Sequence, residues 1–332
     1  MLSADGPGDT YELITSILAP NQNPIEAPDC NHEGFGRHID EVFDVQLDAN
    51  VFRFYIHTEP DNDRCINFDR QRNEIKSYDR SPDDLLGTEN EKVVYKWKFK
   101  LAEGFQSSPN FTHLHQLKSV GGSLASMPMY TLTTRKGNPD RLELRYAETD
   151  KQVTLSRTDL APFIDTWLEV TETILYGAEG TYDIEIRNLS DDSVLFSHTE
   201  ESIINWRSGA EFVRPKWGIY RSLINAQDLR DEIVLYADFS IEEIQTTGTL
   251  ENKYANLEIF PVPANRILSV KSTYEHTNQI KIFSMGGKEI LSKVINPNSD
   301  IKFDVSAFQE GVYVLSLQGK NSIHSKLFIV AH

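Results

Sequence analysis

Apolar and polar residues alternate with a period of two through much of the first 245 residues. In Lys92–Lys100, for example, the last six residues alternate between an aromatic side chain and a lysine. This is the period of a strand with one buried face. The same alternation recurs in Val51–His57, Arg141–Tyr146, Trp167–Thr173, Tyr182–Arg187 and Ile233–Ile241. It predicts an antiparallel all-β sandwich or barrel, with short helices near Thr10–Leu18 and Ser202–Ser208.

A polar stretch interrupts this alternation. Residues 246–256 are rich in Thr and Asn and include one Gly, which is typical of a linker. Alternating strands resume in residues 257–332, with turn signals at Gly286-Gly287 and Gln309–Gly311. A chain of 332 residues is long enough for one large and one small domain. We predict a first domain at 1–245 and a small C-terminal β-sandwich at 257–332.

Charge limits the classes of partner. The formal net charge is −17, which argues against nucleic-acid binding through a general positive field. A local basic groove on an acidic protein still suits an acidic ligand. No apolar run approaches the roughly 18–20 residues that span a membrane. We expect a monomer that does not bind nucleic acid.

The last 76 residues carry four motifs in a fixed order. They are Pro261-x-Pro263, Gly287-Lys288, the run from Asp304 to Gly311-x-Tyr313, and Lys326 with the apolar strand after it. This order resembles the C-terminal sorting domain of type IX secretion substrates. The resemblance implies the type IX secretion machinery as a partner, and a protein that is secreted or held at the cell surface.

Export changes how the N-terminal region is interpreted. The first residues lack a basic segment followed by an apolar one, so we expect that a signal peptide has been removed. In an exported chain Cys30 and Cys65 are a candidate disulfide, which would close a loop of about 35 residues. Two independent buried thiols are the alternative.

A row of charged residues marks the first candidate site. In a strand, Arg70, Arg72, Glu74 and Lys76 share one face. Arginine grips carboxylates and sulfates with two parallel hydrogen bonds, so this face suits an acidic ligand. An exposed strand with cross-strand ion pairs is the plain alternative.

Phe111–Lys118 is a second candidate. Strict alternation places His113 and His115 on one face, and Gln116 and Lys118 on the other. The pattern does not decide which face meets a ligand. A His-x-His pair can also bind a metal, but no third ligand follows at a suitable spacing, so metal ligands stay unassigned.

The third candidate lies in Arg214–Arg221. Lys216, Gly218 and Tyr220 share one face of an extended segment. Because Gly218 has no side chain, we expect a bulky ligand to pass there between Lys216 and Tyr220.

Together the three clusters resemble those of the jelly-roll polysaccharide lyases, a group that includes heparin-lyase-like, glucuronan-lyase-like and ulvan-lyase enzymes. The resemblance covers residues 30–245 and implies a jelly-roll sandwich that cleaves a uronate polymer by β-elimination. Related enzymes often carry Gln-x-His on the middle strand. Here the matching triplet is either Gln116-Leu-Lys118 or His113-Leu-His115.

The resemblance implies a division of roles. Gln116 and Arg72 hold the uronate carboxylate, Lys118 or His115 is the base, and Tyr220 is the acid or both acid and base. Arg70, Lys216 and Arg221 are expected to position neighbouring acidic or sulfated sugars, and Tyr78 to stack on a sugar ring. Glu74 and His113 are further expected substrate-binding residues. Ulvan is the expected polymer, and the chemistry requires no cofactor.

Two other functions fit the same sandwich. A glycoside hydrolase needs a pair of carboxylates, but Asp183-Ile-Glu185 lacks the third acidic residue of the usual strand motif. A non-catalytic carbohydrate-binding module would also use aromatic and Arg side chains. Such sandwiches often hold a structural calcium ion, and the acidic runs Asp61–Asp63 and Ser81–Asp84 offer oxygen ligands or solvated turns.

Overall fold

The computed structural model describes residues 1–244, 257–272, 278–295, 300–318 and 323–332. The chain divides into two compact units, Met1–Thr246 and Thr247–His332. The predicted linker 246–256 lies outside the described residues. No helix in the described part of the chain is long and apolar enough to cross a membrane.

The first unit begins with a helix and continues almost entirely in strands. Helix α1 is Thr10–Leu18. The strands are β1 Ile25–Glu26, β2 Ile39–Asp44, β3 Ala49–Ile56, β4 Arg70–Lys76, β5 Lys92–Leu101, β6 Thr112–Val120, β7 Tyr130–Arg135, β8 Arg141–Tyr146, β9 Val153–Asp159, β10 Leu168–Leu175, β11 Gly180–Asn188, β12 Val194–Ile203, β13 Phe212–Ser222 and β14 Glu232–Ile244. Every predicted strand of this unit is present. The helix predicted near Ser202–Ser208 is wrong, because β12 continues to Ile203.

Two antiparallel sheets form the sandwich. The first has the order β1-β4-β13-β6-β7-β8-β9, and the second has the order β12-β11-β10-β5-β14-β3-β2. Their inner faces share one core, in which Trp97 from the second sheet packs edge-on against Trp217 from the first. The jelly-roll architecture predicted for this part of the chain is therefore confirmed.

A β-bulge in β6 determines which side chains face the core and which face the outer surface at the centre of the first sheet. In the pairing of β6 with β7, His113 lies opposite Thr133 and His115 lies opposite Leu132, so Leu114 is an extra residue on β6. Such a bulge breaks the alternation of faces. Leu114 and His115 are both buried at 1% exposure, and His113 turns to the outer face.

The second sheet holds this bulge in place. The pairing of β13 with β6 also shifts register, between Trp217 and Tyr220. The Tyr236 hydroxyl from β14 lies 2.7 Å from the carbonyl oxygen of Gly218 and 2.9 Å from that of Leu114. One buried phenol proton is therefore shared between the two irregular strands.

The second unit is a small sandwich of its own. Its strands are β15 Leu257–Phe260, β16 Ile267–Ser272, β17 Asn278–Ser284, β18 Glu289–Ile295, β19 Asp300–Asp304, β20 Gly311–Gln318 and β21 Ile323–Val330. They form a sheet in the order β15-β16-β19 and a second sheet in the order β18-β17-β20-β21. Apolar residues such as Leu268, Ile282 and Leu315 fill the space between the sheets. The predicted C-terminal β-sandwich is confirmed.

Candidate active site on the outer face of the first sheet

Strands β4, β13 and β6 lie side by side at the centre of the first sheet, so the three candidate clusters meet on one face. Tyr220 on β13 lies opposite Arg72 on β4 and opposite His113 on β6. Lys216 lies opposite Lys76 and opposite Gln116 in the same way. The sequence predicted these clusters separately, and the strand register brings them together.

Two guanidinium groups surround Tyr220. Arg70 donates from Nη1 to the phenol oxygen at 3.1 Å. The guanidinium carbon of Arg72 lies 3.9 Å from the centre of the phenol ring. A charged donor on the oxygen stabilises negative charge there, and it leaves the phenol's own proton free to be donated. The arrangement therefore suits a tyrosine that gives and takes a proton.

His113 lies beside Tyr220 as a neutral imidazole. Its ring centre is 5.8 Å from that of Tyr220, and it stacks on Phe111 at 4.7 Å. Burial lowers the pKa of His113 to about 3, with further lowering by nearby cations such as Arg135 and Arg72. Its Nδ1 has no hydrogen-bond partner within the described residues. A buried, unpaired nitrogen is unusual, so the site holds an unused hydrogen-bonding group close to Tyr220.

Two buried carboxylates lie under the basic row. Glu74 on β4 accepts from Arg72 at 3.0 Å, from Lys216 at 2.7 Å and from the amide of Gln116. Glu26 on β1 accepts from Lys76 at 2.7 Å, from Arg72 at 3.0 Å and from Lys216. Arg64 also donates to Glu26, at 2.8 Å, so four cations share these two carboxylates and much of the positive charge of the floor is neutralised.

These contacts fix the ionisation of both acids. Burial alone would raise the pKa of Glu26, but Lys216, Arg72 and Lys76 together hold it well below its usual range. The pKa of Glu74 is lowered against its burial by Lys216 and Arg72. Both side chains therefore stay ionised, and neither can serve as a proton donor near neutral pH.

Lys118 lies outside this network. Within the described residues no carboxylate lies within ion-pair distance of it. Burial, with Lys216 and Arg72 nearby, lowers the pKa of Lys118 to about 8. Lys118 is five residues from His113 along β6, and one of these residues is the bulge at Leu114, so the separation is about 13 Å at the rise of a strand. It therefore meets a different part of a bound chain from the part that meets Tyr220.

The structure removes two predicted site residues from the groove. The bulge at Leu114 places His115 in the core between Trp97 and Trp217, where Nε2 lies 2.9 Å from Glu172. The interpretation of His115 as the base is wrong, because no ligand on the outer face reaches it.

Arg221 also points the other way. It is fully buried, and it donates to Gln71 at 2.7 Å and to the backbone oxygen of Arg230 at 2.8 Å. Its guanidinium therefore neither contacts a sugar nor acts on Tyr220 from the same face.

The passage expected at Gly218 is absent as well. A Cβ at Gly218 would lie 2.1 Å from the backbone oxygen of Asn73, and the glycine φ is +144°. The missing side chain makes room for the neighbouring strand β4, and it does not open space for a ligand. Tyr78 stays at the edge of the groove, with the Lys76 ammonium 4.8 Å from its ring centre.

Two acidic residues of the site were missed by the sequence analysis. Glu26 lies on a strand of only two residues, which shows no periodicity. Asp63 forms an ion pair with Arg72, whose Nη2 donates to Asp63 Oδ2 at 3.4 Å, and it accepts from Arg64 Nε at 2.9 Å. From the sequence, Asp63 is expected only as a calcium ligand or as part of a solvated turn. No local pattern marks either residue, since both act on partners that are distant in sequence. A structural calcium ion stays a prediction.

The disulfide lies in the loops beside this face. Cys30 and Cys65 are bonded, with 6.4 Å between their Cα atoms. The predicted pairing is confirmed. Because Cys65 follows Asp63 and Arg64, the bond restrains the segment that contacts Arg72.

Comparisons with known proteins agree with both units. A jelly-roll alginate lyase of the PL-14 group from Aplysia kurodai aligns at a TM-score of 0.51 and 13% identity, over 73% of this chain and 97% of that one. An endo-β-1,4-glucuronan lyase from the fungus Trichoderma reesei aligns at 0.44 and 15%, over 61% and 86%. No curated protein matches by sequence. At such low identity, the likeness to the Aplysia protein shows the fold alone.

The C-terminal unit is assigned by sequence. Residues 258–331 match the family model described as "Secretion system C-terminal sorting domain". The match confirms the sorting domain predicted from the four motifs, and with it the predicted export to the cell surface or extracellular space. The chain is thus a jelly-roll sandwich followed by a secretion system C-terminal sorting domain.

Proposed function

We propose that the first unit is a polysaccharide lyase that cleaves a uronate-containing chain by β-elimination. The observation that carries the proposal is Tyr220, which lies between two guanidinium groups and beside the neutral His113. The solved structures of similar fold bear the names of alginate and glucuronan lyases, which act on uronate polymers.

The reaction has two requirements. The C5 proton of a uronate leaves only when the charge that develops on its carboxylate is neutralised. A base must take that proton, and an acid must protonate the leaving oxygen. Gln116, His113 and Arg72 are the groups that would face the carboxylate from the floor of the groove. Of these, only the imidazole is free of an internal partner within the described residues.

Tyr220 is the proposed acid and base. Arg70 donates to the phenol oxygen and holds it in place. After the phenol proton has passed to solvent, this oxygen takes the C5 proton. The same hydroxyl then returns a proton to the oxygen of the broken glycosidic bond. Lys118 is too far along β6 to share this step, and we assign it with Arg70 to binding of the chain. Lys216 stays paired with Glu26 and Glu74 in the floor of the groove.

We further propose that the substrate is a sulfated, ulvan-like polymer. Lys118 carries no ion-paired carboxylate within the described residues, and Arg214 contacts only the backbone of Ser77 and the ring of Tyr78. Both cations are therefore available to an acidic or sulfated sugar at that end of the groove. Glycoside hydrolysis is disfavoured, because Glu26 and Glu74 are both held ionised and a hydrolase needs one protonated acid.

The test is a panel of uronate polysaccharides, with ulvan first, followed by the ultraviolet absorbance of the unsaturated uronate product. We expect absorbance to rise with at least one polymer. Tyr220→Phe should lower turnover by at least about 1,000-fold. Lys118→Met, the matched control, should mainly raise KM, since it removes a binding cation.

Three outcomes would contradict the proposal. New reducing ends without ultraviolet absorbance would indicate a hydrolase. Binding with no product would indicate a carbohydrate-binding module. Turnover of Tyr220→Phe within a few fold of the unaltered protein would remove Tyr220 from the chemistry.

A further inference from the structure

Four potential metal ligands converge outside the groove. One nitrogen each from His32, His38 and His57 and one oxygen of Asp61 all lie within 4.8 Å of one another. His32 Nδ1 is 2.7 Å from Asp61 Oδ1, His38 Nε2 is 3.2 Å from the same oxygen, and His57 Nδ1 is 3.0 Å from Oδ2. Asp61 and His38 have no exposed side-chain surface.

The fold brings these residues together from separate segments. His38 directly precedes β2 and His57 directly follows β3, so the antiparallel pairing of the two strands places them side by side. His32 and Asp61 lie in the loops that the Cys30–Cys65 disulfide joins. The cluster is therefore supported by a sheet on one side and a covalent bond on the other.

A second layer of contacts orients the ligands. Asp29 Oδ1 lies 2.7 Å from His38 Nδ1, and the Tyr11 hydroxyl donates to the other oxygen of Asp29 at 2.8 Å. His38 donates its Nδ1 proton to Asp29, so its Nε2 is the nitrogen that would bind a metal ion in place of a proton. A carboxylate behind the imidazole is the usual support of a metal-binding histidine.

An aromatic ring partly covers the cluster. The ring of Phe35 lies 4.4 Å from that of His57, 4.7 Å from that of His38 and 5.3 Å from that of His32. The backbone N–H of His57 donates to Asp61 Oδ2 at 2.7 Å, which fixes the carboxylate. An aromatic cover over four converging ligands fits an ion with a structural role better than one that binds substrate.

We propose that His32, His38, His57 and Asp61 bind one structural Zn²⁺ ion. Three imidazole nitrogens and one carboxylate oxygen are a ligand set that tetrahedral zinc accepts, at bonds of about 2.0–2.2 Å. Calcium takes oxygen ligands, six to eight of them, so this set excludes it. Ligands of a tetrahedral zinc ion are about 3.3 Å apart, which the observed separations reach with shifts of about 1 Å.

A bound ion would restrain the loop that carries Asp61 and Asp63, which contacts Gln71 and Arg72 on β4. The backbone oxygens of Thr58 and Asp61 accept from the Gln71 amide at 3.0 and 3.1 Å, and Gln71 is next to Arg72 on β4. Two residues beyond Asp61, Asp63 contacts Arg72 directly. The proposal does not depend on the lyase activity, since it concerns the loop and its ligands alone.

The test is the metal content of the full chain, purified without chelators and measured by mass spectrometry of the elements. We expect about one zinc per chain after dialysis against zinc and then buffer. The double variant His38→Ala/His57→Ala should retain at least tenfold less zinc per chain than the unaltered protein. His198→Ala is the matched control, because His198 contacts only Glu200 on β12 and should leave the zinc content unchanged. Asp29→Asn should weaken zinc affinity by about 10–100-fold.

Two further measurements use the unaltered chain, so a variant that fails to fold cannot obscure the answer. Cobalt(II) added to the chelator-treated protein should give the intense visible absorption of a tetrahedral site. A strong chelator should lower Tm by at least about 5 °C, with recovery on adding zinc but not calcium. A chain that binds neither zinc nor cobalt, with Tm unmoved by chelator, would show that the cluster is a hydrogen-bond network only.

Discussion

The hydroxyl of Tyr236 should stabilise the first unit and hold β6 and β13 in the arrangement seen at the candidate site. It bridges the carbonyl oxygens of Gly218 and Leu114 in a fully buried position, where the two irregular strands meet. Tyr236→Phe removes one oxygen atom and leaves two carbonyls without this donor. An unsatisfied buried polar group costs about 1–3 kcal/mol, so we expect a loss of about 2–4 kcal/mol in the free energy of unfolding.

The control is Tyr95→Phe. The Tyr95 hydroxyl is equally buried in the second sheet, but it contacts only the Tyr176 hydroxyl, at 2.8 Å. Tyr95→Phe leaves one buried hydroxyl without its partner, whereas Tyr236→Phe leaves two carbonyls, so the cost should be smaller, about 1 kcal/mol. Both variants remove one buried tyrosine hydroxyl. They differ in the partners that lose a hydrogen bond, which are two backbone carbonyls for Tyr236 and one hydroxyl for Tyr95.

Tryptophan fluorescence in urea is the assay. All four tryptophans, at positions 97, 167, 206 and 217, lie in the first unit, so the signal does not include unfolding of the sorting domain. Turnover is measured in parallel, because a shift of about 1 Å in Tyr220 or His113 lowers catalysis by about 100-fold. If both variants lower the free energy of unfolding equally and turnover is unchanged, the Tyr236 hydroxyl does not hold the two irregular strands in place.

Two more predictions concern stability. Replacing both Cys30 and Cys65 with Ala should lower the free energy of unfolding of the first unit by about 4 kcal/mol, which is the value for a closed loop of 35 residues. A urea titration measures this loss, and a loss below about 1 kcal/mol would contradict the prediction. Acid should destabilise the protein through His113, whose pKa of about 3 in the folded chain lies below its ordinary 6.5. The unfolded chain takes up the proton first, so stability that is complete above pH 6.5 is lost as the pH falls towards 3, by about 2 kcal/mol between pH 7 and pH 5. His113→Gln should flatten this part of the stability profile by that amount, and parallel profiles for the two proteins would refute the assignment.

The strands and both sandwiches could be predicted because alternation is a local signal. Arg141–Tyr146 was placed to the residue, and the sorting domain was recognised from its motifs. The register of β4, β13 and β6 could not be predicted, although it is what assembles the site. Pairing is set by contacts between residues far apart in sequence.

The errors at the site have a common physical origin. Strict alternation placed His113 and His115 together, and one extra residue at Leu114 separated them. A bulge leaves no mark in a pattern of apolar and polar residues, because both arrangements bury leucine. Glu26 and the histidine cluster were invisible for a related reason, since each ligand comes from a different loop or strand end.

The disulfide also has a consequence for when the groove is completed. Thiols stay reduced in the cytosol and are oxidised outside it, so the Cys30–Cys65 bond forms only after the chain leaves the cytosol. Before that, the loop carrying Asp63 lacks its covalent restraint against the Arg72 side of the groove. Completion of the groove is thus tied to export from the cytosol, and a chain retained in the cytosol lacks this covalent restraint beside Arg72.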